Sequence, residues 1–369
     1  MPCALIEMNP RPTVVAFYLP QYHPVPENDE WWGKGFTEWT NVTKALPLYS
    51  GHVQPNLPAD LGFYDLRVPE TRAAQAAMAR RYGVDAFCYY HYWFGNGRRL
   101  LERPFEDMLS SGKPDFPYML CWANQTWEGV WHGLDNRTLL EQLYPGLEDE
   151  RAHFDCLLRA FEDPRYLRVE GKPVFMVYQP EDLPDSRAFS ARWRQWATEA
   201  GLPGLYLIAE HGNPFWDAAA EGFDAFTNKT PFKRRREWTP WSQPIQKIRN
   251  RILDILGRPS IFDYRSMVDF FIPTAASPLA IPVVLPNWDN TPRSGIRGVV
   301  LRGGTPEAFG LMLDKALDRC AGRSAPDHFM FIKSWNEWAE GNHLEPNRSY
   351  GMGFLQQLKK KLSTLSREG

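Results

Sequence analysis

The sequence predicts an α/β fold, a (β/α)8 TIM barrel. The first observation is a series of eight short apolar segments, because such runs are typical of parallel strands buried on both faces. The second is that helical patterns lie between most of them, and this alternation favours a parallel sheet. The third is the length of 369 residues, which suits the barrel once insertions are allowed. The predicted strands are Val14–Pro20, Val84–Tyr90, Tyr118–Ala123, Pro173–Tyr178, Gly204–Glu210, Phe223–Thr227, Ile281–Pro286 and His328–Ser334.

Helices are predicted where proline, threonine and glycine mark the ends of amphipathic segments. One runs from Pro69 to Tyr82, with proline in its first turn and a glycine directly after its end. Another follows Thr305, which is a good N-cap, and ends at Cys320. A doubly wound open sheet is the competing architecture, but no GxGxxG turn follows the first predicted strand. The remaining predicted helices are Asp149–Asp163, Ser186–Ala200 and Met352–Leu365.

Two long segments are predicted insertions. Residues 21–67 follow the first strand and residues 229–280 follow the sixth. Loops of this length in a compact domain are usually functional, so we expect both to lie over the active face of the barrel. The chain has no internal repeat, low-complexity tract or linker, and we interpret residues 1–369 as a single barrel domain.

Composition excludes several classes of partner. The net charge of -2 offers no global attraction for nucleic acid or for an anionic membrane. No apolar run approaches the ~18 residues of a membrane span, and residues 1–12 lack the features of a signal peptide. The five cysteines are odd in number and include no CxxC pair. We therefore expect a reducing, cytoplasmic location without disulfides or a cysteine metal site.

Two glutamates follow the last predicted strand, within the segment SWNEWAEG. If the loop forms a helical turn, the Cβ atoms of Glu337 and Glu340 lie about 5–6 Å apart, and an extended backbone separates them by at most ~10 Å. Both geometries suit glycosidases, whose paired carboxyl groups lie about 5–5.5 Å apart in retaining enzymes and about 6.5–9.5 Å apart in inverting ones. The competing interpretation is a pair of solvated or structurally paired acids.

Other polar and aromatic side chains follow the remaining strands, and strand ends of a barrel converge on one mouth. The set is rich in aromatic, amide, histidine and carboxyl groups and poor in lysine and arginine. It suits a neutral ligand with many hydroxyl groups better than a phosphate, so we predict an oligosaccharide or polysaccharide substrate. The predicted substrate-binding residues are Tyr18, Gln21, His23, Trp39, Tyr90, His91, Trp93, Trp122, Asn124, Trp127, Tyr178, Glu210, Asn287, Trp288, Asp289, Trp335 and Asn336.

No metal or other cofactor is predicted. Metal hydrolases on this fold usually present His-x-His after the first strand, whereas this chain has Gln21-Tyr22-His23 there. Residues 31–41, WWGKGFTEWTN, suggest a lid with Glu38 and Trp39 facing the ligand. The alternative is a packed aromatic plug on the barrel rim.

Residues 233–257 combine a basic run, KRRR, with isoleucines near helical spacing. This pattern leaves two interpretations open. One is peripheral contact with a membrane that carries a lipid-linked glycan. The other is an insertion helix that packs on its own barrel and exposes a solvated basic face.

The chain contains six long and unusual motifs: FYLPQYHP at 17–24, NDEWWGKGFTEWTNV at 28–42, PADLGFYDLR at 58–67, FCYYHYWF at 87–94, LLERPFEDML at 100–109 and WNEWAEGNHLEP at 335–346. Together they resemble the WbsX-type, glycoside hydrolase family 99-like proteins. The resemblance implies a (β/α)8 barrel and a place in bacterial surface-polysaccharide pathways such as O-antigen or capsule. After LCWAN the chain departs from related sequences, which often carry an acidic residue and then arginines. That departure weakens any inference of a shared anionic substrate.

The resemblance also implies residue roles. Family 99 hydrolases proper are endo-acting on α-mannosides and retain anomeric configuration. Carried over, Glu337 is the base that helps the sugar's own 2-hydroxyl attack, and Glu340 is the acid/base at the leaving oxygen. We therefore expect a retaining, endo-acting glycoside hydrolase. The alternatives are a glycosyltransferase or transglycosylase and a non-catalytic carbohydrate-binding barrel, although the chain has neither an Asp-x-Asp motif nor a glycine-rich phosphate loop.

Overall fold

Parallel strands form an almost closed ring in the computed structural model, which describes residues 11–129, 138–228, 251–253, 255–323 and 326–365. Each strand pairs in parallel with the next, and the last pairs with the first, as in Val14 opposite Met330. The expected (β/α)8 barrel is confirmed, and the doubly wound alternative is wrong. The strands are β1 Thr13–Tyr18, β2 Ala86–His91, β3 Tyr118–Trp122, β4 Lys172–Val177, β5 Tyr206–His211, β6 Ala225–Asn228, β7 Ala280–Ile281 with Val283–Val284, and β8 Phe329–Ile332.

The seventh strand has two parts because a proline divides it. Ala280–Ile281 pairs with β6, and Val283–Val284 pairs with β8. Pro282, between them, has no amide hydrogen to donate to a ladder. Its carbonyl oxygen instead accepts a hydrogen bond from Phe331 N at 3.0 Å, so the ring continues across the break.

Helices cover the outside of the ring, and several have the predicted end signals. The helix Pro69–Tyr82 ends at Gly83, whose φ of 91° lies in the left-handed region. Thr305 caps the helix after it by accepting a hydrogen bond from Ala308 N at 3.3 Å. The helices Pro26–Trp32, Glu38–Lys44, Arg103–Ser111, Tyr264–Phe271 and Thr291–Ser294 were not predicted. The others are Pro69–Tyr82, Leu147–Glu162, Ser186–Glu199, Pro306–Ala321 and Gly353–Leu365.

Alternation along the strands decides which side chains point into the barrel. The ring of Phe17 lies 5.5 Å from the rings of both Tyr90 and Phe331, so these three residues fill the interior. The next residue, Tyr18, points outward, and its hydroxyl donates to Gln75 on a covering helix at 2.6 Å. Residues two apart share a face, and neighbours do not.

The insertion after β1 packs against the segment that follows β8. The indole rings of Trp39 and Trp338 lie 5.5 Å apart, and Asn56 Nδ2 lies 2.8 Å from His343 Nε2. The first insertion therefore covers the carboxyl ends of β1 and β8.

The insertion after β6 is described only in part. Residues 229–250 and 254 lie outside the described residues, and with them lies the basic run at 233–236. Ile252, Ile255 and Leu256 are 50, 77 and 59% exposed. Most of residues 233–257 lies outside the described part of the chain, so membrane contact and a helix packed on its own barrel with a solvated basic face both stay predictions. Among the described helices, none is long and apolar enough to cross a membrane.

Candidate active site

Glu337 and Glu340 lie in a tight loop at the carboxyl end of β8. The short strand Asn336–Glu337 pairs with Asn342–His343, and a single 3-10 turn, Trp338–Glu340, connects them. The turn ends at Gly341 with φ 60°, and a Cβ there would meet the Asp289 backbone N at 2.9 Å. Only glycine fits this position, because the backbone is left-handed and packed against a neighbouring loop.

One arginine joins the two glutamates. Arg293 Nη1 lies 2.6 Å from Glu340 Oε1, and Nη2 lies 3.2 Å from Glu337 Oε2. The same guanidinium donates from Nε to Glu38 Oε2 at 3.1 Å. Both carboxylates therefore converge on a single cation, and we call Arg293, Glu38, Glu337 and Glu340 the arginine cluster.

Burial and the closeness of like charges change the pKa values of residues in this cluster. Glu337 is only 5% exposed. Burial and the nearby Glu340 raise the pKa of Glu337 to about 8, although Arg293 lowers it. Burial alone would lower the pKa of Arg293, but the three glutamates outweigh burial and raise it. The arginine cluster thus holds more carboxyl groups than its cation can neutralise.

A second buried ion pair lies inside the barrel. Lys333, directly after β8, places Nζ 3.2 Å from Glu210 Oε1 on β5. The ammonium also lies 5.2 Å from the ring centre of Tyr178 and 5.5 Å from that of Phe17. Burial lowers the pKa of Lys333, but Glu210 and Glu340 reverse that effect and raise it. We call Lys333 and Glu210 the lysine pair.

Arg293 and Lys333 correct the expectation that the mouth is poor in basic residues. Arg293 lies on the helix Thr291–Ser294 after β7, and Lys333 follows the last apolar strand. Both positions follow strand ends, where barrel enzymes place functional groups, and that signal was present in the sequence.

Among the predicted binding residues, Tyr90, Tyr178 and Glu210 face the barrel interior. The rings of Tyr90 and Tyr178 lie 6.2 Å apart. Glu337 is among the charges that raise the pKa of both tyrosines, after burial, which is the largest cause for each. The structure thus brings these three residues together with the two catalytic candidates.

Five other predicted residues lie behind the sheet and do not line the mouth. His91 Nε2 contacts His153 Nε2 at 2.8 Å, and Trp93 Nε1 donates to Asp149 at 3.0 Å. Both partners lie on the helix Leu147–Glu162. The expectation is corrected because adjacent strand residues point to opposite faces. The five are Tyr18, His91, Trp93, Trp122 and Trp335.

Three predicted polar residues serve as braces between loops. Asn336 bonds both the N and the O of Leu19, at 2.7 and 3.0 Å, and so ties the end of β8 to that of β1. Asn124 makes the same two-sided contact with Gln179, at 2.8 Å for both bonds. Because these hydrogen bonds use the side-chain amides of Asn336 and Asn124, the expectation that the two residues contact a ligand directly is corrected.

Asp289 is the third brace, and it supports the arginine cluster. Its Oδ2 accepts hydrogen bonds from His52 and Gln54, both at 2.7 Å, and its Oδ1 accepts from the Thr291 hydroxyl at 2.6 Å. Its backbone N donates to Glu340 O at 2.7 Å. Asp289 therefore fixes the helix that carries Arg293 and the turn that carries Glu340.

Trp39 and His23 are buried within the first insertion. Trp39 Nε1 donates to Tyr64 O at 2.8 Å, and its ring packs on Tyr22 at 4.8 Å, as in the packed-plug interpretation. His23 Nδ1 lies 3.0 Å from Pro20 O, and burial lowers its pKa.

The other four predicted residues lie around the rim. Gln21 is buried, and its carbonyl accepts from Glu38 N at 3.2 Å. Trp127 is partly exposed, with its ring 5.2 Å from that of Tyr92. Trp288 is buried, and Asn287 lies against Gly304.

Glu345 is a buried carboxyl group that is not among the predicted site residues. Its oxygens accept hydrogen bonds from Trp338 Nε1, Tyr64 OH and Gln75 Nε2, each at 2.7 Å. Burial raises its pKa to about 7, although these donors lower it. The sequence signal that could have identified Glu345 is its position in HLEP, directly after the loop that carries Glu337 and Glu340.

With this geometry in place, comparison with known proteins decides the family. A family model described as Glycosyltransferase WbsX matches residues 14–358. The chain belongs to the WbsX family. It is 38% identical over 353 residues to WxcX, described as uncharacterized, from two strains of Xanthomonas campestris pv. campestris. That match covers 95% of the chain and 50% of WxcX, so the chain spans about half the length of these relatives.

Solved structures support the fold of this WbsX-family chain. A GH99 endo-alpha-mannosidase from Bacteroides thetaiotaomicron superposes with a TM-score of 0.56 at 15% identity, covering 96% of this chain and 98% of that one. A glycoside hydrolase-like protein gives a TM-score of 0.57 at 16% identity, covering 98% and 97%. At these identities the likeness establishes the barrel alone.

Proposed function

We propose that the chain is a retaining, endo-acting glycoside hydrolase that cleaves a bacterial surface polysaccharide or its precursor. The observation that carries the proposal is the convergence of Glu337 and Glu340 on Arg293 at the carboxyl end of the barrel. Two carboxyl groups that share a site and repel one another hold a proton between them near neutral pH. One acid and one base are what cleavage of a glycosidic bond requires.

The roles follow the family resemblance. Ionised Glu337 takes the proton of the sugar's 2-hydroxyl while that oxygen bonds to the anomeric carbon. In the reactive form the one proton that the two carboxyl groups share lies on Glu340, which gives it to the leaving oxygen as the glycosidic bond breaks. In the second step Glu340 takes a proton from water as the water oxygen bonds to the anomeric carbon and the bond between that carbon and the 2-oxygen breaks. Glu337 then returns its proton to the 2-oxygen, and net retention results.

A glycosyltransferase is the second candidate, and the description of the matched family favours it. In that reaction the same two acids would pass the glycosyl group to a sugar hydroxyl instead of water. An α-mannoside is the first substrate to try, because one structural neighbour is an endo-alpha-mannosidase.

The deciding experiment incubates the protein with O-antigen and capsule oligosaccharides, including α-mannosides, with and without nucleotide-sugar donors. Mass spectrometry reads the products. Shortening without a donor supports the hydrolase, and donor-dependent growth supports the transferase. Shortening at an unchanged rate in both Glu337→Gln and Glu340→Gln would overturn the proposal.

We also propose a cytoplasmic location with peripheral membrane contact through residues 233–257. Exposed Ile252, Ile255 and Leu256 beside Arg251 support the contact, since apolar and basic groups together favour anionic lipid surfaces. Co-sedimentation with phosphatidylglycerol vesicles should fall in the Ile255→Glu variant. Absence of sedimentation of the unaltered protein would contradict the contact.

A further inference from the structure

The lysine pair is a buried feature that the proposed chemistry does not use. Lys333 is 3% exposed and Glu210 is 1% exposed, and the two side chains meet inside the carboxyl end of the ring. The rings of Phe17 and Tyr178 flank the ammonium. Two aromatic faces and an ion pair give this region both apolar and polar surfaces.

The pair has unused hydrogen-bonding capacity. Glu210 Oε2 is buried and has no hydrogen-bond partner among the described residues. A lysine ammonium carries three donors, and within the described chain this one donates a hydrogen bond only to Glu210. Buried polar groups in folded proteins are nearly always satisfied, so a polar ligand is the natural partner for these atoms.

The lysine pair lies next to the candidate catalytic acids. Lys333 precedes Glu337 by four residues in the same segment. Lys333 is one of the charges that lower the pKa of Glu337, and Glu337 and Glu340 in turn raise that of Lys333. Lys333 directly follows β8, Glu210 lies on β5, and the two glutamates follow β8, so both groups lie at the carboxyl end of the ring, where one bound oligosaccharide can contact both.

Charge selects the kind of sugar. The site contains four carboxyl groups, from Glu38, Glu210, Glu337 and Glu340, against the two cations Arg293 and Lys333. A uronate or phosphate would add negative charge to a region that already has an excess of carboxyl groups. A hydroxyl group brings no charge and can both donate and accept.

Resting on the proposed function, we propose that Lys333 and Glu210 form a subsite for two adjacent hydroxyl groups of a neutral sugar. One hydroxyl donates to Glu210 Oε2, and its neighbour accepts from Lys333 Nζ. The substrate class is then a neutral sugar that carries a vicinal diol.

The test measures binding in the Glu340→Gln background, where turnover does not interfere. Isothermal titration calorimetry compares neutral oligosaccharides, beginning with α-mannobiose, with matched uronate-containing ones. We expect a neutral oligosaccharide to bind. Adding Lys333→Met should weaken it about tenfold or more, because a hydrogen bond to a charged group is lost. Lys361→Met, which removes a surface ion pair with Asp314, is the matched control and should change affinity less than twofold.

Two further measurements keep the test independent of folding. The Lys333→Met/Glu210→Gln variant removes both charges together, and thermal denaturation establishes that it folds. A deoxy analogue lacking one of the two hydroxyl groups should bind about tenfold more weakly to the background protein. The Lys333→Met/Glu210→Gln variant should bind the deoxy analogue and the parent sugar equally well.

Preferential binding of uronates, or unchanged affinity in Lys333→Met, would overturn the subsite. Lysine-dependent binding without any cleavage or transfer would retain the subsite and remove the proposed catalytic function. The two failures are therefore distinguishable.

Discussion

The two buried ion groups at the barrel mouth differ in balance. The arginine cluster places Glu38, Glu337 and Glu340 around one guanidinium, whereas the lysine pair places one carboxylate against one ammonium. An unbalanced group retains a proton, because ionising every carboxyl group in a poorly solvated site is unfavourable. A balanced pair keeps its charges fixed. In the proposed function, the unbalanced arginine cluster transfers protons and the balanced lysine pair binds the sugar.

The largest expected effect comes from the carboxyl groups of the arginine cluster. Glu337→Gln and Glu340→Gln should each lower the rate of cleavage by about 10²–10⁴, the contribution typical of general acid–base catalysis. Initial rates are measured on the oligosaccharide that the incubation experiment identifies as a substrate. Binding to Glu340→Gln should remain nearly intact, and Glu106→Gln, on the outer helix Arg103–Ser111, is the control. Unchanged turnover in Glu340→Gln would assign the acid to another residue.

Replacing Arg293 should show how strongly its ion pairs with the three glutamates stabilise the fold. Arg293→Met leaves three mostly buried carboxyl groups without their partner, and removing one partner of a buried ion pair costs about 3–5 kcal/mol. Urea denaturation measures the change in free energy of unfolding. Arg151→Met removes an exposed ion pair with Asp155 and should cost less than about 1 kcal/mol. Equal midpoints for the two variants would contradict the role given to Arg293.

The pH dependence of stability follows from the raised pKa of Glu337. The folded carboxyl group has a pKa of about 8 against an ordinary value of 4.5, so the folded state binds the proton more tightly than the unfolded state. The resulting contribution to stability is complete below pH 4.5 and is lost as the pH rises to about 8. Cleavage needs the proton that Glu337 and Glu340 share, so its rate should fall as the pH rises past about 8.

The comparison with Glu337→Gln isolates that contribution, because Glu345 also has a raised pKa and changes stability in the same direction. Urea titrations of both proteins between pH 4.5 and 8 should give a steeper loss of stability for the unaltered chain. Parallel curves would show that Glu337 does not carry the excess proton.

The smallest expected effect is that of metal removal. Arg293 and Lys333 supply the positive charge near the candidate acids, so EDTA should change the cleavage rate by less than twofold. The rate is measured before and after EDTA, with magnesium, manganese and calcium added back singly. Loss of activity that one ion restores would overturn the metal-free mechanism.

The sequence predicted the barrel because each buried strand is a short apolar run between recognisable helix signals. It predicted less well which side chains at the strand ends point into the barrel. Tyr90 and His91 are neighbours, but Tyr90 points into the ring and His91 contacts a helix behind it. Taking both as ligands ignored the two-residue alternation of a strand, which the sequence itself contains.

Other parts of the site depend on tertiary contacts that no local pattern shows. Arg293 lies 44 positions from Glu337 and 255 from Glu38, and only the closed ring brings the three together. Asp289 was expected to contact substrate because it follows β7, yet its oxygens are used by His52, Gln54 and Thr291. A polar residue at a strand end can equally bind a ligand or brace a loop.

The most direct test of the central claim, that Glu337 and Glu340 act on one glycosidic bond, uses two substrates. The cleaved glycan and the glycosyl fluoride of its donor sugar are compared in first-turnover experiments, because fluoride departs with little need of a proton. Glu340→Gln should be slow on the glycan and near the unaltered rate on the fluoride, while Glu337→Gln should be slow on both. Equal losses on both substrates in Glu340→Gln would contradict the account.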